Sequence, residues 1–386
     1  MITAQGRGSF REQAREVLAV MQPILEELRH PAAITVQTVF LRDARDQAEC
    51  ARLFAKHYGV KMPVTNFVAQ PPCCGAALAI EAWAIGGKSV RFERYGPQTV
   101  AVSYEGLRWV HYGGVVPSNE AYGLYAGATE GFCRMSHALS QAGSRFEHVV
   151  RTWFYLGGIT EPEGHSFRYQ ELNRARKDFY IDTPFGRSFA ASKGKYASYP
   201  ASTGIGMDGT GLVMSCLALE TEREDVFLLP LENPQQTPAY DYPANRASQS
   251  PKFSRAMALV AGDLVTTWIS GTASIVNSET CHLGDIEGQT EQTIANIERL
   301  IEPENFALHG LSGAGAGLSD LAKIRVYVKR RQDVKKCRAI CERRFGRVPA
   351  LYLVADVCRP ELLVEIEGVA FSKMQGPKPT VRCKSP

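Results

Sequence analysis

The chain lacks any run of about 18 uninterrupted apolar residues, the length a membrane-crossing helix needs. Its opening stretch, MITAQGRGSF, has no apolar segment of the kind an export signal carries. A cytoplasmic protein is therefore expected, without a membrane partner. Strong charge of either sign is also missing. The 44 basic and 40 acidic residues leave a net charge of +4, too mild to mark a nucleic-acid surface. The densest basic run, KRRQDVKKCR at 329–338, reads as a solvated helix face with one arginine turned inward. The 10 cysteines have two close pairs, Cys73 with Cys74 and Cys337 with Cys341, and neither is followed by the second pair a structural zinc site needs. Reduced thiols are expected. With no glycine-rich phosphate loop, metal-ligand cluster or G-x-S-x-G elbow, no metal and no cofactor is expected.

What is present is an ordinary globular composition, 45% hydrophobic and 22% charged, over 386 residues, enough for two or three domains. It is also repetitive. The segment FREQAREVLAVMQPILEELR (10–29) sets Val17, Leu18, Met21, Ile24, Leu25 and Leu28 on one helical face. A β-branched strand, AITVQTVFLRD, a helix, QAECARLFAKHYG, and a second strand, ALAIEAWAIGG (77–87), follow it. The same helix, strand, helix, strand order recurs at 128–220 and again at 287–371. The two later copies open with paired strands at 106–116 and 263–276, for which the first copy has no room before residue 10. The pattern predicts an α+β fold of three units, each a mixed sheet with two helices packed on one face. The boundaries are a partial unit at 1–95, a second at 96–230, a Pro, Gln and Ser-rich linker at 231–253, a third at 254–372, and a frayed tail at 373–386.

The closing strand of the third unit reads Glu365-Ile366-Glu367-Gly368-Val369-Ala370, and that of the first Ala79-Ile80-Glu81-Ala82-Trp83-Ala84. This resembles the E-I-E-A-x-A strand of the Rid (YjgF) superfamily, whose single-unit members form trimers with pockets between units. The resemblance implies a pseudo-trimer within one chain, as a monomer or a low-order homo-oligomer. Position 365 is Ala79 in the first unit and Met214 in the second, so one pocket keeps the acid. The carboxylate-binding arginine of the superfamily's P-A-R motif is missing, since the third unit has Pro349-Ala350-Leu351 and the first Pro63-Val64-Thr65. That argues against the usual imine hydrolysis.

A narrower resemblance is to the chorismatases, which cleave the enol ether of chorismate and release pyruvate. It rests on SGTASIVNSETCHLGDIEGQTEQTIANI (270–297), on PALYLVADVCRPELLVEIEG (349–368) and on RYQELNRAR in the second unit. Cleavage begins with a proton delivered to the ether's methylene carbon, and burial of Glu365 between Val364 and Ile366 would keep a carboxyl protonated for that task. An alternating strand can equally carry Glu365 and Glu367 as a plain polar edge. Two substrate carboxylates call for guanidinium groups. The resemblance implies Arg338, 27 residues ahead of the acid, and the helix bearing Tyr169, Arg174 and Arg176. Tyr169 and Arg176 share a face and Arg174 points away, so only one of these two arginines is expected in the pocket.

The resemblance also ties the 3-hydroxybenzoate-forming branch of the family to a glycine in SGTAS and a cysteine seven residues before the acid. These are Gly271 and Cys358. The expected function is a cofactor-free chorismatase giving pyruvate and 3-hydroxybenzoate, with chorismate or a related cyclic unsaturated acid as its small-molecule partner. A Rid-type imine or enamine hydrolase and a non-catalytic small-molecule-binding protein are the other readings.

Overall fold

The computed structural model describes residues 1–5, 8–27, 30, 32–118, 122–185, 197–244 and 248–375. The proposed tail beyond 375 lies outside the described residues. The first unit comprises β1 (Ile2–Thr3), α1 (Phe10–Glu26), β2 (Ala32–Leu41), α2 (Gln47–Tyr58), β3 (Val64–Val68) and β4 (Leu78–Gly86). Helix α1 begins at Ser9, whose hydroxyl accepts from the Glu12 backbone N–H while the Glu12 carboxylate accepts from the Ser9 N–H. That reciprocal cap satisfies two otherwise orphaned donors. Beyond it Ala14, Val17, Leu18 and Met21 form the buried stripe against the sheet.

The second unit runs through β5 (Arg91–Arg94), β6 (Thr99–Tyr104), β7 (Leu107–Val115), α3 (Leu124–Gln141) and β8 (Val149–Gly157). A short hairpin of β9 (Pro162–Glu163) and β10 (Ser166–Phe167) leads into α4 (Arg168–Tyr180), β11 (Ala201–Met207) and β12 (Leu212–Thr221). The third contains β13 (Val226–Leu231), β14 (Ala256–Ala261), β15 (Leu264–Ala273), the hairpin β16 (Ile275–Val276) and β17 (Glu279–Thr280), then α5 (Ile286–Ile301) and α6 (Pro303–Leu308). It closes with β18 (Leu321–Val328), α7 (Val334–Phe345), β19 (Ala350–Val354) and β20 (Val364–Lys373).

The three sheets share one strand order. It is β3-β2-β4-β1 in the first, β11-β8-β12-β7-β6-β5 in the second and β19-β18-β20-β15-β14-β13 in the third. In each, two parallel strands joined by a helix meet the antiparallel closing strand, which next pairs with the strand that opens the unit. The opening segments of the later units are single long strands, β7 and β15, whose hairpin partners β6 and β14 lie upstream. In the first unit the two-residue β1 alone takes that place, pairing with β4. Strand β13 follows the second sheet in sequence but pairs with β14 in the third.

Two helices cover the outer face of each sheet, α1 with α2, α3 with α4 and α5 with α7, and each pair encloses its own apolar core. The inner faces meet one another. Phe40 and Ala79 of the first sheet, Tyr155 and Ile205 of the second, and Tyr327 and Leu353 of the third share one buried cluster.

Beside that cluster lies a buried ionic network drawn from all three sheets. Arg325 of β18 holds both oxygens of Glu81 of β4, at 2.7 Å each, and reaches Glu367 of β20 at 2.8 Å. Arg151 of β8 donates to the other Glu367 oxygen at 2.6 Å, and Lys323 completes the set on Glu81. Burial alone would raise both carboxyls, yet Arg325 and its companions hold Glu81 and Glu367 below the ordinary carboxylate range. The network is ionised, and it ties the units into one body.

Candidate active site

The face of β20 that ends in this network begins one pleat earlier in a different environment. Glu365 and Glu367 have the same side-chain parity, so both point to the inner face. Glu367 is clamped by two guanidinium groups, whereas Glu365 projects into a cavity of about 240 Å³ between the second and third sheets. It is 4% exposed. Burial pushes its carboxyl up to about 8, the Glu367 charge adds to the rise, and Arg151 pulls against it. Two adjacent carboxyls are thus driven apart, one fixed as an anion and one kept as an acid at neutral pH.

The wall opposite the acid is Gly271 of β15. A Cβ at that position would lie 2.0 Å from Glu365 Oε1 and 2.8 Å from its Cδ, so only hydrogen fits beside the carboxyl in its observed place. Its neighbour Ala273 pairs across the strands with Glu365, and the ladder shifts register between Ile269 and Thr272, which frees the backbone around Gly271. The Gly271 N–H donates to Thr203 Oγ1 on β11, joining the two sheets at the cavity. Gly271→Ala is expected to displace the acid rather than the fold, because the obstructed atoms end a flexible side chain. Turnover should fall about 100-fold, as for a misplaced acid, with a thermal midpoint close to wild type. An unchanged rate would show that Glu365 is not held by this contact.

Cys358 lines the same cavity from the loop before β20. Burial pushes its thiol up to about 12, and the nearby Glu365 adds to the rise. It is a neutral, small wall group, and no thiolate competes with Glu365 for the proton. From the second unit α4 presents Tyr169, Asn173 and Arg176. Arg176 is 1% exposed, donates to Asn173 Oδ1 at 2.6 Å and Ser202 Oγ at 3.3 Å, and leaves Nε without a partner. Among the described residues it has no carboxylate partner. A buried, uncompensated guanidinium facing a cavity is a site for an anion.

Two of the expected arginines lie elsewhere. Arg174 projects away on the other side of α4, where it pairs with Glu171 and stacks 3.6 Å over the Tyr125 ring. Arg338 stands in another cleft, between the first and third sheets, with its guanidinium 4.6 Å from the Tyr352 ring centre. The expectation that it faces Glu365 fails for a topological reason. The helix that precedes β20 belongs to the same unit and turns toward the next cleft, while the pocket holding Glu365 receives its helix from the unit before.

In place of Arg338 the third unit supplies Arg255, just before β14, and Arg359. Tyr242 joins them. Its hydroxyl accepts from Arg255 at 2.9 Å, and Arg359 lies 5.3 Å from its ring centre. Behind Arg255 sits Glu232, 1% exposed and 3.7 Å away, whose carboxyl burial pushes up to about 8 against the pull of Arg255. Arg255 thus reaches the cavity with a buried carboxyl behind it, one whose ionisation burial opposes and Arg255 favours. Arg359 had a signal in the sequence, since it directly follows Cys358 in C-R-P-E-L. Tyr242 and Phe253 come from the 231–253 segment, where the lack of apolar periodicity hid any role in a pocket.

Three mixed sheets arranged about one ionic centre, with a single buried acid and three guanidinium groups in one inter-sheet cavity, define a scaffold for small-molecule anions. Comparison with known proteins gives the family. Residues 96–218 match the family model described as chorismatase FkbO/Hyg5-like, N-terminal. The chain is 35% identical over 298 residues to a 3-hydroxybenzoate synthase of Streptomyces hygroscopicus, covering 75% of this chain and 81% of that protein. It is also 35% identical over 229 residues to a chorismatase of Streptomyces rapamycinicus, covering 58% and 64% respectively. A chorismatase crystal structure superposes with a TM-score of 0.67 over 88% of this chain and 93% of its own, at 23% identity, a likeness of fold. The chain belongs to the chorismatase family. Among the described residues no helix is long and apolar enough to cross a membrane.

Proposed function

We propose that the protein converts chorismate to pyruvate and 3-hydroxybenzoate in the cavity between its second and third sheets, with Glu365 as general acid. The observation that carries this reading is a buried carboxyl, raised by burial, beside the buried guanidinium of Arg176, which has no carboxylate partner among the described residues. Chorismate carries two carboxylates and an enol ether. Arg176 on one wall, and Arg255 and Arg359 on the other, supply cations for the two carboxylates, and the acid meets the ether between them.

Protonation of the methylene carbon makes the future methyl group of pyruvate and leaves the positive charge on the ether carbon and oxygen. Glu365 becomes a carboxylate next to that charge, which stabilises it in a site largely closed to water. The ring carbon–oxygen bond of the ether then breaks and pyruvate leaves with the ether oxygen. The adjacent ring hydroxyl oxygen bonds the vacated carbon and its original carbon–oxygen bond opens. The ring proton lost on aromatisation balances the proton given, so Glu365 is restored without net consumption of acid. The two products together contain all the atoms of chorismate, and no water is added. The small wall formed by Gly271 and the neutral Cys358 thiol supports the branch that gives 3-hydroxybenzoate, because it leaves the ring close to the acid and places no charged base beside it.

Purified protein incubated with chorismate is expected to release pyruvate and 3-hydroxybenzoate in equal amounts, read by chromatography. Absence of both would refute the substrate, and a dihydroxycyclohexadiene carboxylate in place of the aromatic acid would refute the branch. Arg176→Met keeps the bulk of the side chain and removes the charge-assisted contact. It is expected to lower kcat/KM for chorismate about 100-fold, mainly through KM, corresponding to about 3 kcal/mol for one lost ionic contact in a buried site.

A further inference from the structure

The cleft between the first and third sheets repeats the plan of the active cavity. In the cavity, Ala273 of β15 pairs with Glu365 of β20, and α4 with β11 forms the facing wall. In the cleft, Thr3 of β1 pairs with Ala79 of β4, and α7 with β19 forms the facing wall. Thr3 through Gln5 therefore occupies in the first sheet the place that Ala273 through Ile275 occupies in the third. The acid is replaced by Ala79, which removes the chemistry, but the basic character is kept. Arg338 of α7 and Arg42, just after β2, line a cavity of about 670 Å³.

Neither guanidinium has a carboxylate partner among the described residues. The exposed Arg42 side chain donates to the Gly75 carbonyl at 3.0 Å. Arg338 leans on the Tyr352 ring, and its Nε is buried with no hydrogen-bond partner. The remaining walls are polar at Thr3 and Gln5 and apolar at Leu351. An orphaned guanidinium N–H held against an aromatic face, with a second arginine nearby and apolar surface beyond, suits a ligand with one carboxylate on a flat body.

The geometry points to this cleft as a second, non-catalytic binding site for a small planar carboxylate, in the first place the aromatic acid released by the active cavity. The choice of that acid rests on the function proposed above, whereas the basic cleft does not. Arg338 and Arg42 hold the carboxylate, and Tyr352 and Leu351 flank the ring.

Binding of 3-hydroxybenzoate to the full chain, measured by isothermal titration without chorismate, tests this. Wild type is expected to take up two equivalents. Arg338→Ala should take up one, with affinity at the other site reduced at least about tenfold, while its kcat/KM for chorismate at low product stays within about twofold of wild type. Arg42→Ala serves as a second variant should Arg338→Ala fail to fold, with the same loss of one equivalent expected. Two undiminished equivalents in a folded variant overturn the site, and equal competition by inorganic phosphate overturns the planar carboxylate. Turnover is assayed separately on the same preparations. Protein that does not cleave chorismate yet loses one binding equivalent with Arg338 would sink the catalytic reading and leave the cleft standing.

Discussion

Glu365→Gln is expected to fold like the wild type and to turn over chorismate about a thousandfold more slowly, the scale of a lost general acid. The amide fills the same space beside Gly271 and can still donate a hydrogen bond, but it has no proton to give to carbon. The wild-type pH profile should identify the same group. Because the protonated carboxyl is the active form and burial raises it to about 8, kcat/KM should be level through neutral pH and fall tenfold per pH unit above that point. A profile that instead rises with pH would mean the ionised carboxylate acts, as a base or as an orienter of water, which is the imine-hydrolase reading.

Wild-type stability should also fall as pH rises, over a lower window than activity. A carboxyl that is raised in the folded state stabilises fully below its unfolded value, near 4.5, and that contribution is lost as pH climbs toward about 8. Glutamine has no such loss. Relative to wild type, the variant should gain stability as pH rises, by up to about 1.4 kcal/mol per unit across that window, and hold the gain above it. Thermal melts of both proteins at several pH values check this. Parallel melting curves would show that Glu365 does not titrate as a buried group.

How much of this was legible in the sequence depends on which residues are considered. The three units and their order are written in periodicity, because each helix must show one apolar face to its sheet and each strand alternates. The acid was legible by comparison between units, since neither Ala79 nor the second closing strand offers a carboxyl there. The matching residue in the second unit is nevertheless Val213, which pairs with Tyr155 as Glu365 pairs with Tyr327, and the expected Met214 points one residue out of register to the helix-covered face. The hairpin partners β6 and β14 were not separated, since TVAVSY and AMALVA are short apolar runs next to longer ones. The resemblance places Arg338 beside the acid on a 27-residue spacing, but a spacing within one unit does not say which cleft its helix faces, and the structure puts Arg338 in the neighbouring one. In a ring of units each pocket combines the closing strand of one with the helix of its predecessor, a relation visible only once the ring is closed. Arg255 and Tyr242 were missed for the same reason. They flank or lie in a segment with no period to read, and they become functional through where that segment packs.

Arg325→Met is expected to have the largest effect on stability, about 3 to 5 kcal/mol, the cost of breaking a buried ion pair by removing one partner. Arg325 is the group shared by both carboxylates of the central network, since it holds both oxygens of Glu81 and one of Glu367. Without it Glu81 keeps Lys323 and Glu367 keeps Arg151, so each acid retains a partner but loses the charge that joined them. The penalty arises from desolvated carboxylates rather than from lost packing, because methionine fills most of the space and the Phe40 and Trp153 rings near the guanidinium remain. Adding Glu81→Gln to Arg325→Met should therefore recover part of the loss, although Glu81→Gln alone is destabilising. Urea unfolding of the two single variants and the double variant measures that coupling. Additive losses would mean that Arg325 acts by filling space, and the first unit would then be held by its apolar contacts instead of by charge.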